Sequence, residues 1–172
     1  GNVLISLRFM SALVNVRGDW TAPDFGEPLW WLAGDPGDPL SGATMDITSS
    51  AGLTDGFTLQ HHALRDGDTI TVFDNQPWAV NSRLLTMEVD EQAMSVDLVH
   101  TYTFAYHCDF QGAHYTLPNG NAVGTCAALG QIVEYDAGAT EPRFKMDVQC
   151  FNGAADAIFR FVPIDEQLAG LG

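Results

Sequence analysis

Basic charge is scarce in this chain. Seven lysines and arginines stand against 22 aspartates and glutamates, Lys145 is the only lysine, and the formal net charge is −15. Such a surface repels nucleic acid and anionic membranes, so neither is expected as a partner. The acidic residues are scattered singly through turns, which fits a saline setting but points to no particular substrate. No run of 18 apolar residues occurs, and a membrane span is not expected. Residue Gly1 leads directly into a strand pattern, so no leader peptide is expected in this stretch. Cysteine is sparse too: Cys108, Cys126 and Cys150 show neither C-x-x-C nor C-x-H spacing, which argues against a zinc site. They fit one disulfide with an odd thiol in a secreted protein, or three buried thiols otherwise. Helical periodicity is nearly missing, apart from a possible turn at residues 165–168. No metal and no cofactor is expected.

What is present is short alternating strands. Apolar residues make up 46% of the 172 and charged ones 17%, the balance of a globular protein with many buried strands. Gly1-Asn2 leads into strand patterns at 3–8, 11–16 and 29–32. Gly67-Asp68 leads into 69–73, 84–89 and 94–102. Gly120-Asn121 leads into 122–126, 131–135 and 143–148. The same order recurs three times: a glycine turn, a strand, a loop, a strand, a second turn and a third strand. The second and third copies also show the strand before the turn, at 61–64 and 113–117.

Each full unit is therefore four short antiparallel strands in about 45 to 55 residues, the spacing of a β-propeller blade. The expected division is an incomplete blade at 1–33, an insertion loop at 34–57, blades at 58–104 and 105–150, and a closing strand and tail at 151–172. The first copy lacks its innermost strand. About three blades cannot close a ring, so the chain reads as the C-terminal part of a larger propeller, its remainder the same or a separate chain. A small β-sandwich with similar turns is the alternative. The insertion is rich in Gly, Asp, Pro, Ser and Thr and precedes His61, as part of a lid would. Its GDPGDP start lacks the oxygen-ligand spacing of an EF-hand.

The stretch QHHALRDGDTITVFDN at residues 60–75 draws attention, because it sets an imidazole pair at the mouth of a β-hairpin. Alternation sends His61 and His62 to opposite faces, so only one can enter a given pocket. Trp30, Trp31 and Phe73 read as packing aromatics, and Asp74-Asn75 as a turn pair with polar side chains.

The order ISLR (5–8), GEPLWWLAG (26–34), LQHHA (59–63), GDTITVFDN (67–75), SRLLTMEVD (82–90) and LPNGNAVG (117–124) resembles the arylsulfotransferase family. The likeness runs from Gly1 to about Tyr135. It implies a six-bladed propeller that moves a sulfuryl group from a phenolic sulfate donor to a phenol acceptor without a nucleotide. It also implies that His61, the histidine of the QH motif, is the nucleophile and becomes transiently sulfated. The arginine of the S-x-R motif, which binds sulfate oxygens in the family, falls on Arg8. Family members carry an H-x-N motif on the strand before that arginine, a strand that would precede Gly1. Near residues 109–112 the family has small hydroxyl residues, where this chain offers Gln111 and Gly112, so acceptor contacts differ. The resemblance further implies a periplasmic or secreted location, where a pair such as Cys108 with Cys126, at one end of adjacent strands, would be oxidised.

These residue types suit the chemistry. Neutral imidazole near pH 7 offers a nitrogen lone pair without a separate base. The planar guanidinium of arginine matches two sulfuryl oxygens. His62, His114 and Gln111 are candidate substrate contacts. A packed or rim histidine is the alternative for His62, a structural one for His114, and a strand-end ion pair for Arg8. His100 and His107 read as strand-surface and loop residues. The competing function is a non-catalytic extracellular propeller that binds or builds structure, and a sulfate-ester hydrolase is the third.

Overall fold

A strand with apolar residues on both phases of its alternation, as in TITVF at residues 69–73, must be covered on both faces. The computed structural model, which describes residues 1–34, 44–49 and 56–148, covers it in that way. The chain is all-β. Its elements run β1 (Val3–Leu7), a 3-10 turn (Arg8–Met10), β2 (Ala12–Val16), β3 (Pro28–Ala33), β4 (Asp46–Thr48), β5 (His61–Asp66) and β6 (Thr69–Asp74). They continue with β7 (Arg83–Asp90), β8 (Ser95–Thr103), β9 (Ala113–Thr116), β10 (Ala122–Cys126), a second 3-10 turn (Ala127–Leu129), β11 (Gln131–Tyr135) and β12 (Phe144–Asp147).

These strands form three sheets, ordered β1-β2-β3, β4-β8-β7-β6-β5 and β12-β11-β10-β9. Consecutive strands within each sheet pair antiparallel. The exception is β4, which runs parallel to β8 and shows that the expected insertion is not all loop. Two of the connections share a device that the β6–β7 link at 75–82 lacks. The β1–β2 and β10–β11 links are both 3-10 turns closed by a left-handed residue, Ser11 at φ 46° and Gly130 at φ 60°. In the shared order β1, β6 and β10 hold one position. The latter two are flanked on both sides, while among the described residues β1 pairs with β2 alone. Among the described residues the sheets do not close into a ring.

The middle sheet is packed from both sides. Ile70, Val72, Leu85, Met87, Val89 and Leu98 join Leu13, Trp30 and Leu32 of the first sheet in one core. Phe73, Leu84 and Tyr102 join Ala122, Cys126, Val133 and Tyr135 of the third in another. Trp30 and Phe73 are thus core aromatics. Close approach of the second and third sheets depends on Gly124, where a Cβ would lie 2.6 Å from a methyl carbon of Leu84. The closing strand and tail expected at 151–172, with the turn at 165–168, as well as Cys150 and residues 35–39 of the Gly-Asp-Pro stretch, lie outside the described residues. Among the described residues no helix is long and apolar enough to cross a membrane.

Candidate functional site

The QH pair sits where the second sheet meets the first. Leu59 takes φ 53° and donates its amide to Ser11 Oγ at 3.2 Å. Gln60, fully buried, crosses to the first sheet and donates to the Ala12 carbonyl at 2.9 Å and to Ser6 Oγ at 3.2 Å. These bonds fix the start of β5 against the end of β1, where Arg8 stands.

His61 opens β5 half-buried, with Nδ1 2.7 Å from Asn75 Oδ1. Asn75 is fully buried. Its Nδ2 donates to the carbonyls of Cys108 and Gln111, each at 2.8 Å, and its own carbonyl accepts from Ser82 Oγ at 2.9 Å. Burial pushes the His61 pKa below its ordinary value, and the nearby Arg8 guanidinium pushes the same way. The hydrogen bonds to Asn75 and to the Leu59 backbone oppose them.

Arg8 is half-buried, with its guanidinium carbon 4.8 Å from the centre of the Phe9 ring. Among the described residues its buried Nε has no hydrogen-bond partner, and it pairs with no carboxylate. In so acidic a chain that is notable, because Arg17, Arg65, Arg83 and Arg143 all have carboxylate partners. The buried Asp74 takes the fork of Arg83 and the amide of Thr58, and so braces the end of β6 beside Asn75.

His62 does not follow the alternation expected of it. The β5–β6 register slips by one residue between His61 and Leu64, and His62 takes φ 50°. The extra residue of this bulge turns the His62 ring toward the third sheet. There its Nδ1 accepts the His114 amide at 3.3 Å and its ring meets Tyr115 edge-on at 4.6 Å. His114 itself is fully buried, with Nδ1 3.0 Å from the Leu85 carbonyl, and burial pushes its pKa down to about 4. Its ring therefore lies within the packing between sheets. Gln111 reaches the site through its carbonyl, which holds Asn75. His100 is exposed on β8, and His107 sits in a loop 3.3 Å from Asp109.

Backbone strain gathers around the imidazole. Among the described residues seven non-glycine residues have positive φ: Ser11, Leu59, His62, Gln76, Ala79, Met94 and Gln111. Five of them either neighbour His61 or Asn75 in sequence, or hydrogen-bond to the residues that hold them, and strain of this kind concentrates at functional sites. A cavity of about 850 Å³ opens among Asp68, Glu88, Asp90, Glu91 and Asp97, at the turn end of the β5–β6 hairpin, away from His61. Among the described residues no group of three His, Cys, Asp or Glu side chains could hold a metal ion.

The sequence brings out His61 and Arg8 through their motifs but misses Asn75 as a support. Its signal was available: in a hairpin turning at Gly67-Asp68, the residue just past β6 comes back to the start of β5. Cys108 and Cys126 form a disulfide, with Cα atoms 5.6 Å apart. Cys108 joins from the loop after β8, not from a strand. No protein-family model matches this chain, and no curated protein matches its sequence significantly.

Proposed function

We propose that the chain carries the nucleophilic half of a nucleotide-independent aryl sulfotransferase. The observation that carries this reading is the Arg8 guanidinium, which among the described residues pairs with no carboxylate and acts electrostatically on a histidine whose surroundings favour the neutral form. A cation near an uncharged nucleophile suits an anionic ester whose charge must be held while a neutral nitrogen attacks.

In the first step His61 Nε2 forms a bond to the sulfur of a phenolic sulfate ester, and the sulfur–aryl-oxygen bond breaks. Arg8 holds the non-bridging oxygens. The departing phenolate takes a proton from an acid, a role this reading gives to a second histidine on the proposed remainder of the propeller. In the second step a phenol oxygen attacks the sulfur, the S–N bond breaks, and the phenol proton passes to the conjugate base of that acid. The threefold order of elements supports a larger propeller, with these sheets as blades. The Cys108–Cys126 disulfide fits a periplasmic or secreted location.

The test is intact-protein mass spectrometry of the complete protein before and after incubation with a chromogenic aryl sulfate. One sulfuryl group gained on His61, and lost in His61→Ala, is the expected result. Sulfate-ester binding without any label, under conditions where a known family enzyme labels, would overturn the enzyme in favour of a non-catalytic anion-binding module.

A further inference from the structure

We infer that Asn75, held by the disulfide-anchored segment after β8, is the positioning residue that fixes the tautomer of His61. For catalysis the inference rests on His61 being the nucleophile. The tautomer itself follows from geometry alone.

A side-chain amide has one end that accepts and one that donates. The Nδ2 end of Asn75 lies 2.8 Å from two carbonyl oxygens, those of Cys108 and Gln111. Carbonyls only accept, so the NH2 group must be there, and a flipped amide would set oxygen against oxygen twice in a buried place. The atom 2.7 Å from His61 Nδ1 is therefore the oxygen. That oxygen cannot donate, so Nδ1 carries the hydrogen and donates it to Asn75. In the neutral ring the lone pair is then on Nε2. The opposite tautomer would lose this bond and press two lone pairs together.

Asn75 has little freedom to yield. It is fully buried, and its main-chain carbonyl accepts from Ser82 Oγ. The same hydroxyl accepts the Cys108 amide at 2.8 Å, and Cys108 is crosslinked to Cys126 at the end of β10. A continuous path thus runs from the crosslink through the Cys108 carbonyl and the Asn75 amide to the imidazole. Positioning of this kind governs the basicity and aim of a ring nitrogen in metal sites, where its loss costs roughly 10- to 100-fold.

The experiment is nitrogen NMR of the complete protein with 15N-labelled histidine, the His61 signals being identified by their loss in His61→Ala. Wild type is expected to show a protonated Nδ1 and a bare Nε2 above the His61 pKa. Two variants separate positioning from a merely structural role. Asn75→Leu and Asn75→Asp both lose the donations to Cys108 and Gln111, but only the aspartate can still accept from Nδ1. Asn75→Leu is expected to give a mixture of tautomers and to lower kcat by about 10- to 100-fold. Asn75→Asp is expected to keep the single tautomer and to move the acid limb of the pH profile upward, since a carboxylate favours the imidazolium. A wild-type ring protonated on Nε2, or identical tautomer populations in the two variants, would overturn the inference. If the tautomer result holds while His61→Ala leaves sulfuryl transfer intact, the proposed reaction falls and the positioning of His61 stands.

Discussion

Gln60 Nε2 donates to the carbonyl of Ala12 across 2.9 Å, and this buried bond ties the strand that carries His61 to the sheet that carries Arg8. Replacing Gln60 by leucine removes the donor and leaves the Ala12 carbonyl short of a partner, at a cost of about 1–3 kcal/mol. Replacing it by glutamate is worse near neutral pH, because a carboxylate would face a carbonyl oxygen in a buried place. Burial raises the pKa of such a glutamate, so its deficit relative to wild type should shrink as pH falls through that value and the carboxyl gains a proton. Urea denaturation of wild type and Gln60→Glu at pH 7 and pH 5 tests this. A deficit that is equal at both values would show that residue 60 does not face the Ala12 carbonyl.

The Cys108–Cys126 crosslink closes a loop with a sequence separation of 18. Constraint of the unfolded chain over a loop of this size stabilises by about 3 kcal/mol. Cys126→Ser should lower the denaturation midpoint accordingly. Because Cys108 also presents its carbonyl to Asn75, the same variant should broaden or shift the His61 ring signals, while His100, exposed on β8, stays unchanged. Loss of stability without any change at His61 would show that the segment after β8 holds its shape without the crosslink.

The middle sheet was legible because its code is local. Gly67-Asp68 supplies the turn, and the alternation of Ile70, Val72 and Phe73 supplies a strand with two apolar faces. The threefold order of turns and strands was legible for the same reason. The bulge at His62 was not, because a residue forced to φ 50° carries no glycine or asparagine to announce it. Nor was β4, a three-residue strand whose partner β8 is 49 residues further on and whose sequence reads as loop. Asn75 read as half of a turn pair, since the carbonyls that orient it belong to Cys108 and Gln111 in a loop more than 30 residues away. His114 read either as a substrate contact or as a structural histidine, because strand position gives two faces and not which of them is covered. The approach of the Leu85 carbonyl decides that.

Buried His114 makes stability depend on pH in a stated direction. In the unfolded chain it takes up a proton near its ordinary value of 6.5, whereas burial between sheets delays protonation of the folded ring to about 4. Between these values the unfolded state holds more protons, so stability falls as pH drops through the window. The full effect is on the order of 3 kcal/mol at about 1.4 kcal/mol for each tenfold change. His61, lowered in the same direction, adds to it. His114→Gln keeps an amide donor within reach of the Leu85 carbonyl but cannot titrate. It should be less stable than wild type at pH 7, and the gap should narrow or invert by pH 4.5, because carboxylate protonation common to both chains cancels in the comparison. Chemical denaturation of the two proteins at half-unit steps from pH 7 to 4.5 measures the gap. Parallel curves across that range would show that the His114 ring takes up its proton in the folded state as readily as in the unfolded one.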